Sequence, residues 1–211
     1  MDSYRTVARG ARPTFELVDR KSRFIAQLAH VATAADADAF VAEVRATHHD
    51  ARHNVPVWIL ADGTERASDD GEPQGTAGHP VLDVLRGAGL MDVCCVVTRY
   101  FGGTLLGPGG LVRAYSGAAS GAIDVAEQTG GVVVMTFVTP CAVSVPYAWY
   151  DRVSRLAADA GGKVRDQLFR EDVTLTVDFK AGDERPFVDA VRELASGEDL
   201  VRVREPRFAE F

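Results

Sequence analysis

The sequence has little of what membrane and secreted proteins depend on. None of its apolar runs approaches the about 20 residues that a membrane helix needs. The polar residues that open the chain lack the apolar stretch of a signal peptide. There are only three cysteines, and Cys94, Cys95 and Cys141 all lie in apolar runs, where free cysteine usually packs in a core instead of forming disulfides or binding zinc. We therefore expect a cytoplasmic protein.

Positive charge is also scarce. The formal net charge is −7, so the field of the whole protein repels polyanions and disfavours bulk binding of nucleic acid. Residues 1–138 hold 12 Lys and Arg against 16 Asp and Glu. Any contact with nucleic acid must then be confined to a local basic patch.

The hydrophobic pattern predicts an α+β protein of two domains, residues 1–138 and 139–211. In the first domain, alternation over residues 14–31 predicts a β-hairpin, and Thr33 followed by Asp36 predicts the cap of a helix. The almost unbroken apolar run at 93–100 predicts a central strand that is covered on both faces.

The remaining elements follow from the same periodicities. In the first domain we predict further strands at 55–61 and 132–139 and helices from Pro80 onward and over 111–127. In the second domain, a strand at 141–147 begins the order βαββαβ, which is that of a ferredoxin-like domain.

Residues 68–80 form a polar segment with clustered carboxylates. Three carboxylates fall within four residues, Asp69, Asp70 and Glu72, and Gly75 follows them as a further candidate site residue. A solvated surface loop is the simplest interpretation. The three carboxylates also suit magnesium, which usually needs one or two of them plus a phosphate. A third interpretation, which we favour over a metal site, is that they hold Arg99 or Arg113 by paired hydrogen bonds.

Residues 99–115 run from a predicted strand through a glycine-rich turn into a predicted helix. The glycines of the turn are Gly102, Gly103, Gly107, Gly109 and Gly110. Glycine-rich backbone and a helix N-terminus direct N–H groups towards anions, and Arg99 and Arg113 can add forked donors. The segment therefore suits a phosphate-like anion. A tight turn with close helix–strand packing explains the same residues equally well. The spacing matches neither the dinucleotide fingerprint nor the Walker sequence, so it implies no cofactor.

Histidine and serine offer no recognisable catalytic order. All five histidines lie in the first domain, and His53, beside Arg52 and just before a predicted strand, is best placed to reach the glycine-rich segment. No Ser-His-Asp or Cys-His arrangement stands out, and no serine has a nucleophile elbow around it. We assign no catalytic residue.

Three segments together resemble the signature of the IMPACT/YigZ family. They are Arg52-His53-Asn54, SDDGEPQGTAGHP at 68–80 and RYFGGTLLGPGGLVRAY at 99–115. The resemblance covers the whole chain. It implies a first domain like the second domain of a small-subunit ribosomal protein, a fold shared with kinases of the galactokinase group, and a ferredoxin-like second domain.

The resemblance also implies which residues form the binding surface. The positions that match the family motif are Asp69, Asp70, Glu72, Gly75, Arg99, Tyr100, Gly102, Gly103, Gly107, Gly109, Gly110 and Arg113. Two positions depart from the family: Val55 stands where a cysteine is frequent, and Leu105 stands where a lysine is frequent. The loss of that lysine removes one cation from the proposed anion site.

The resemblance implies a role in translation, because the eukaryotic IMPACT protein is tied to translational control during amino-acid starvation. We expect a binding protein, not an enzyme, with the ribosome, RNA or a translation factor as its partner. Arg99 and Arg113 would contact phosphate, and Tyr100, Phe101 and Tyr115 would offer stacking faces. The alternative is an enzyme or binder of a small phosphorylated or nucleotide ligand, with magnesium on the carboxylates of residues 68–80, which rests on fold analogy.

Overall fold

A computed structural model describes residues 2–211 and divides them into two compact units. The first unit is Tyr4–Val133, and the second is Val134–Phe211 together with Asp2 and Ser3. No helix formed by residues 2–211 is long and apolar enough to cross a membrane. The α+β fold class predicted from the sequence is confirmed.

The first unit is built around an antiparallel sheet whose central strand is the most apolar segment of the chain. After strand β1 (Ser3–Val7), the sheet consists of β2 (Thr14–Asp19), β3 (Ser22–His30), β4 (His53–Ile59), β5 (Glu65–Ala67) and β6 (Val93–Tyr100). Their order is β2-β3-β6-β4-β5. Because β6 is flanked on both edges and covered on both faces, residues 93–99 are all buried, as the unbroken apolar run predicts.

Helices cover the two faces of this sheet, and alternation along β6 decides which side chain meets which helix. The helices are α1 (Ala34–Thr47), α2 (Gly78–Gly87) and α3 (Pro108–Gln128). Val93, Cys95 and Val97 belong to the core formed with α2 and α3, whereas Cys94 and Val96 pack on the side of α1. The same alternation continues to the end of β6, so the side chains of residues 99 and 100 lie on opposite faces of the sheet.

The second unit has the predicted βαββαβ order. Its elements are β7 (Val132–Val145), a short 3-10 helix (Tyr147–Trp149), α4 (Tyr150–Asp159), β8 (Lys163–Phe169), β9 (Val173–Lys180), α5 (Arg185–Leu194), β10 (Val201–Val203) and β11 (Arg207–Glu210). Strand β9 lies between β7 and β8, and β10 and β11 both pair with β7. Val153, Phe187 and Val191 bury the inner faces of the two helices against this sheet.

Several sequence predictions are confirmed. The hairpin at 14–31 forms as β2 and β3 in antiparallel register, with Asp19 opposite Ser22. Thr33 caps α1, because its hydroxyl accepts the backbone N–H of Asp36 at 3.1 Å.

Other predictions gave wrong boundaries for an element, and some short elements were not predicted. The two strands predicted at 132–139 and 141–147 are one strand, because the ladder with β9 runs through Pro140, which faces Asp178. Helix α2 begins at Gly78, two residues before Pro80. The short strands β1, β5 and β11 were not predicted at all, since three to five residues carry too little alternation to detect.

Candidate functional site

A buried hydrogen-bonded cluster of Glu72, Arg99 and Tyr115 lies where the two motif segments meet. Arg99 Nη1 donates to both carboxylate oxygens of Glu72, at 2.7 and 2.9 Å. The hydroxyl of Tyr115 donates to Glu72 Oε1 at 2.7 Å. Glu72 comes from the carboxylate-rich loop, Arg99 from the end of β6 and Tyr115 from α3. The cluster therefore joins the loop, the sheet and the helix.

The cluster is buried, so its charged groups are costly in free energy unless they remain paired. The side chains of Arg99 and Glu72 are only 8% and 3% exposed, and Tyr115 is fully buried. Burial, together with the neighbouring Glu72 carboxylate, raises the pKa of Tyr115 well above its usual value, so the hydroxyl stays protonated and remains a donor. Removing one partner of such a buried ion pair costs about 3–5 kcal/mol, because the other charge is left unpaired.

Arg99 uses only one of its three nitrogens within this cluster. Among residues 2–211, its side-chain hydrogen bonds all leave from Nη1, and the buried Nε has no acceptor. The Nε–Nη2 edge is one of the two edges with which arginine grips carboxylates and phosphates in a fork. The rings of Phe24 and Phe101 lie 5.5 and 5.7 Å from the guanidinium carbon. A buried donor without an acceptor costs about 1–3 kcal/mol.

Arg99 also lines a cleft on the surface of the first unit. The cleft has a volume of about 210 Å³, and its walls are Arg52, His53, Arg99, Phe101 and Leu105. Phe101 and Leu105 are 57% and 80% exposed, whereas Arg99 is buried, so the cleft has an apolar rim and a cationic floor. This combination suits a ligand that carries an anionic group next to a flat apolar one.

Asp69 organises the loop by accepting hydrogen bonds from its backbone. Its Oδ1 accepts the backbone N–H groups of Ala77 and Gly78 at 3.0 and 2.8 Å, and its Oδ2 accepts that of Gly75 at 2.7 Å. Burial opposes the charged form of Asp69, but the three N–H donors outweigh it and lower the pKa of the carboxyl. Asp69 therefore supplies the cap that helix α2 lacks at its own N-terminus.

Asp70 fixes the loop from the other side. Its carboxylate accepts from Arg45 Nη2 at 2.6 Å and from the backbone N–H of Asn54 at 2.7 Å. Because Asp69, Asp70 and Glu72 each face different donors, they do not converge. Nowhere in residues 2–211 do three or more His, Cys, Asp or Glu side chains form a group suited to a metal ion. The arginine-holding interpretation fits Glu72 and Arg99, although Asp70 holds Arg45 instead.

The glycines of the 99–115 segment serve the packing of the chain. A Cβ at position 102 would overlap the carbonyl group of Lys21 in the β2–β3 turn, so only glycine fits there. Gly103 and Gly107 have φ angles of +85° and +72°, in the region where side chains are strained. A Cβ at position 110 would lie 2.8 Å from the Cβ of Leu106. For these positions the tight-turn interpretation explains the observed geometry.

Some of the residues named from the sequence lie outside the cleft. Arg113 is exposed, its guanidinium forms no hydrogen bond or ion pair within the described chain, and it is not a wall of the cleft. The Tyr100 hydroxyl donates to Asp50 at 2.9 Å on the α1 side of the sheet. Tyr115 is fully buried; the expectation that it offers a stacking face was wrong, because its ring packs against Phe24 instead.

Sequence reasoning missed the contribution of the β2–β3 turn. Arg20 and Lys21 both have positive φ, +46° and +66°. Arg20 Nη1 donates to the carbonyl of Leu105 at 3.4 Å. A cation thus stands beside Leu105, the position at which the motif resemblance led us to expect a lysine. The only sequence signal for this contact was the cationic turn itself, which is 85 residues from Leu105 along the chain.

Comparisons with known proteins agree with the motif resemblance. The sequence model of the Impact N-terminal domain matches residues 20–123, and that of a domain of unknown function, DUF1949, matches residues 143–198. The IMPACT family member YvyE of Bacillus subtilis is 32% identical over 212 residues, which cover 100% of this chain and 95% of YvyE. The IMPACT family member YigZ of Escherichia coli is 36% identical over 182 residues, which cover 84% and 87% of the two chains.

Two solved structures are also similar. The crystal structure of a hypothetical protein is 34% identical to this chain with a TM-score of 0.63, and the match covers 96% of this chain and 97% of the other. The two-domain translational regulator Yih1 is 25% identical over 57% of this chain and 49% of its own, with a TM-score of 0.36. A TM-score that low does not establish a shared arrangement.

Proposed function

Because this chain belongs to the IMPACT family, we propose that it is a translation-associated regulator that binds single-stranded RNA through the cleft of its first unit. It acts by binding, and the ribosome or a translation factor that presents RNA is the setting in which it meets its ligand. The family resemblance supports the link to translation. The cleft provides the cationic and aromatic side chains that would contact RNA.

The observation that carries the proposal is that Arg99 lines the cleft beside the exposed ring of Phe101, and its Nη2 has no partner among residues 2–211. Arg99 is positioned by Glu72 and is preorganised to take a phosphate oxygen. Phe101 is 57% exposed and offers a face on which a base can stack, a contact that every base can make. Arg52 is an exposed cation on the cleft wall. One nucleotide can therefore make both the phosphate contact and the stacking contact in this cleft of about 210 Å³.

The test is a fluorescence-anisotropy titration with a short single-stranded RNA. We expect Phe101→Ala to weaken binding by about 5- to 150-fold, the range that corresponds to 1–3 kcal/mol for one stacked base. Phe169→Ala is the matched control, because Phe169 is 53% exposed but belongs to the second unit, and it should bind like the wild type. No binding by the wild type, or equal losses in the two variants, would contradict the proposal.

Salt dependence distinguishes a local cleft from a basic surface. With Arg52 and Arg99 as the two phosphate contacts, log K should fall with log salt at a slope of about −1.4, or roughly 25-fold for a tenfold rise in salt. Arg52→Ala should reduce the slope to about −0.7. A slope steeper than about −4 would mean that many surface cations bind the RNA, and the cleft would then not be the site.

A second candidate is a small phosphorylated ligand or free nucleotide. The modest volume of the cleft favours it, because a single mononucleotide can make all the contacts described above. A thermal-shift panel of nucleotides and sugar phosphates tests this candidate, since a ligand at a hundred times its dissociation constant stabilises the folded state by about 2.7 kcal/mol. Because Asp69 and Glu72 already hold protein donors, we expect any such shift to be independent of magnesium.

A further inference from the structure

The imidazole of His53 is held in one tautomer by the loop that follows β5. His53 Nδ1 lies 2.8 Å from the backbone carbonyl oxygen of Asp70. A carbonyl oxygen can only accept, so Nδ1 carries the hydrogen. In the neutral ring the lone pair is then on Nε2, which is a hydrogen-bond acceptor.

The carbonyl that fixes this tautomer is itself held firmly. Asp70 has a φ of +46°, which turns its backbone into the left-handed region. Its carboxylate is tied to Arg45 and to the backbone N–H of Asn54, the residue next to His53. Gly71 lies against the ring, since a Cβ at that position would be 3.6 Å from the Nδ1 and Cε1 atoms of His53. The ring orientation is therefore set by the loop before any ligand arrives.

His53 Nε2 has no donor to accept from within residues 2–211. Its polar neighbour is Glu72 Oε1, at 4.0 Å, which is too far for a hydrogen bond and is an acceptor as well. The side chain is 15% exposed, and His53 is a wall of the cleft together with Arg99. The cleft thus combines the free donors of Arg99 with one free acceptor.

A ligand that satisfies both groups must carry an oxyanion and, close to it, a hydroxyl or N–H donor. In RNA the 2′-hydroxyl neighbours the 3′-phosphate on the same ribose, and it is the group by which proteins distinguish RNA from DNA. DNA offers the phosphate but leaves the acceptor unmatched. A phenyl or methyl group would satisfy neither.

We propose that His53 Nε2 accepts a hydrogen bond from the 2′-hydroxyl of the nucleotide whose phosphate binds Arg99, so that the cleft selects RNA over DNA. This inference rests on the proposed function, because it assigns the specificity of the same cleft. His53 is a specificity-determining residue in this scheme, and Asp70 is the residue that positions it.

The experiment uses the full chain and a set of RNA trinucleotides in which one ribose at a time is replaced by 2′-deoxyribose or 2′-O-methylribose. At one position, loss of the hydroxyl hydrogen should weaken binding about 2- to 12-fold, the ratio expected for one net hydrogen bond. The other positions should change little. His53→Phe should abolish this position-dependent loss, and His79→Phe, at an exposed histidine that is not a wall of the cleft, should preserve it.

The possible results separate this inference from the proposed function. If the wild type binds RNA but no single deoxy or methyl substitution weakens it, the inference is wrong and RNA binding stands. If the position-dependent loss persists in a folded His53→Phe protein, another residue reads the hydroxyl and the assignment is wrong. If the wild type binds neither RNA nor its deoxy analogues, both proposals fail. The substitutions in the ligand need no protein variant, so the test stands even if His53→Phe does not fold.

Discussion

At the scale of single residues, removal of the Tyr115 hydroxyl tests whether the buried cluster stabilises the fold. Tyr115→Phe keeps the ring against Phe24 but removes the donor that reaches Glu72 Oε1. We expect the free energy of unfolding to fall by about 1–3 kcal/mol, because a buried carboxylate loses one hydrogen bond. Urea denaturation measures this change.

The matched control for Tyr115→Phe is Tyr147→Phe. The Tyr147 hydroxyl also donates a hydrogen bond, to the carbonyl of Arg170, but the residue is 55% exposed and water can replace its partner. The free energy of unfolding of Tyr147→Phe should stay within about 0.5 kcal/mol of the wild-type value. Equal losses in the two variants would show that the Tyr115 hydroxyl contributes nothing particular to the cluster.

Asp69 should make the first unit sensitive to acid. The pKa of Asp69 is lowered in the folded state by its three backbone donors, so its charged form stabilises the fold above the unfolded value of about 3.9. This contribution is lost as the pH falls through the lower folded value. Asp69→Asn should therefore lower the melting temperature at pH 7, and the gap to the wild type should narrow towards pH 3.

The control for this pH profile is Asp124→Asn. Asp124 is exposed on α3, and its carboxylate has no hydrogen-bond partner within residues 2–211. A melting-temperature gap for Asp69→Asn that stays constant from pH 7 to pH 3, or one that Asp124→Asn reproduces, would contradict the capping role of Asp69.

The residues of the site could be found from the sequence only in part. The cluster of carboxylates next to a buried-strand arginine correctly predicted that an arginine is held, and Glu72 is the residue that holds it. Alternation along β6 already implied that Arg99 and Tyr100 point to opposite faces, and this signal was available but unused. Burial of Tyr115 could not be inferred, because its place opposite Phe24 depends on how α3 packs across β3.

At the scale of elements, Gly102 joins the β6–α3 loop to the β2–β3 turn. Gly102→Ala would push a methyl group into the Lys21 carbonyl, so the loop has to move away from the turn. We expect a loss of about 1–3 kcal/mol in stability, typical of overpacking, together with weaker RNA binding, because Phe101 and Leu105 lie on the displaced loop. Unfolding and anisotropy titrations on the same sample measure both effects.

Gly87→Ala provides the control for Gly102→Ala. A Cβ at position 87 would meet no atom within 4 Å and its φ is not positive, so the substitution should leave stability unchanged or raise it slightly. RNA binding should not change. If Gly102→Ala behaves in the same way, the loop does not depend on its contact with the turn.

Long elements with strong periodicity followed from the sequence, and contacts distant along the chain did not. The hairpin, α1 and β6 each have local signals that agree with their tertiary environment. Two strands were predicted on either side of Pro140, and proline normally interrupts a ladder, yet the pairing of β7 with β9 continues past it. The contacts of Gly102 with Lys21 and of Arg20 with Leu105 join segments about 80 residues apart, and no local pattern encodes them.

At the scale of the whole molecule, an acidic protein is proposed to bind a polyanion. The net charge of −7 repels RNA at long range, so attraction has to arise within the cleft, where Arg99 is shielded from water by Phe24 and Phe101. Association should consequently be slow relative to electrostatically steered complexes. Specificity then depends on contacts made after docking, which agrees with a small cleft as the site.

The most direct measurement is the side-chain Nε–H resonance of Arg99 in a ¹⁵N-edited NMR titration of the full chain with a phosphorylated RNA trinucleotide. We expect the Arg99 resonance to shift in a saturable manner, with the same dissociation constant as the anisotropy titration, while that of the exposed Arg113 stays in place. Saturable shifts at Arg113 with an unchanged Arg99 resonance would show that the ligand binds elsewhere, and would overturn the account of the cleft.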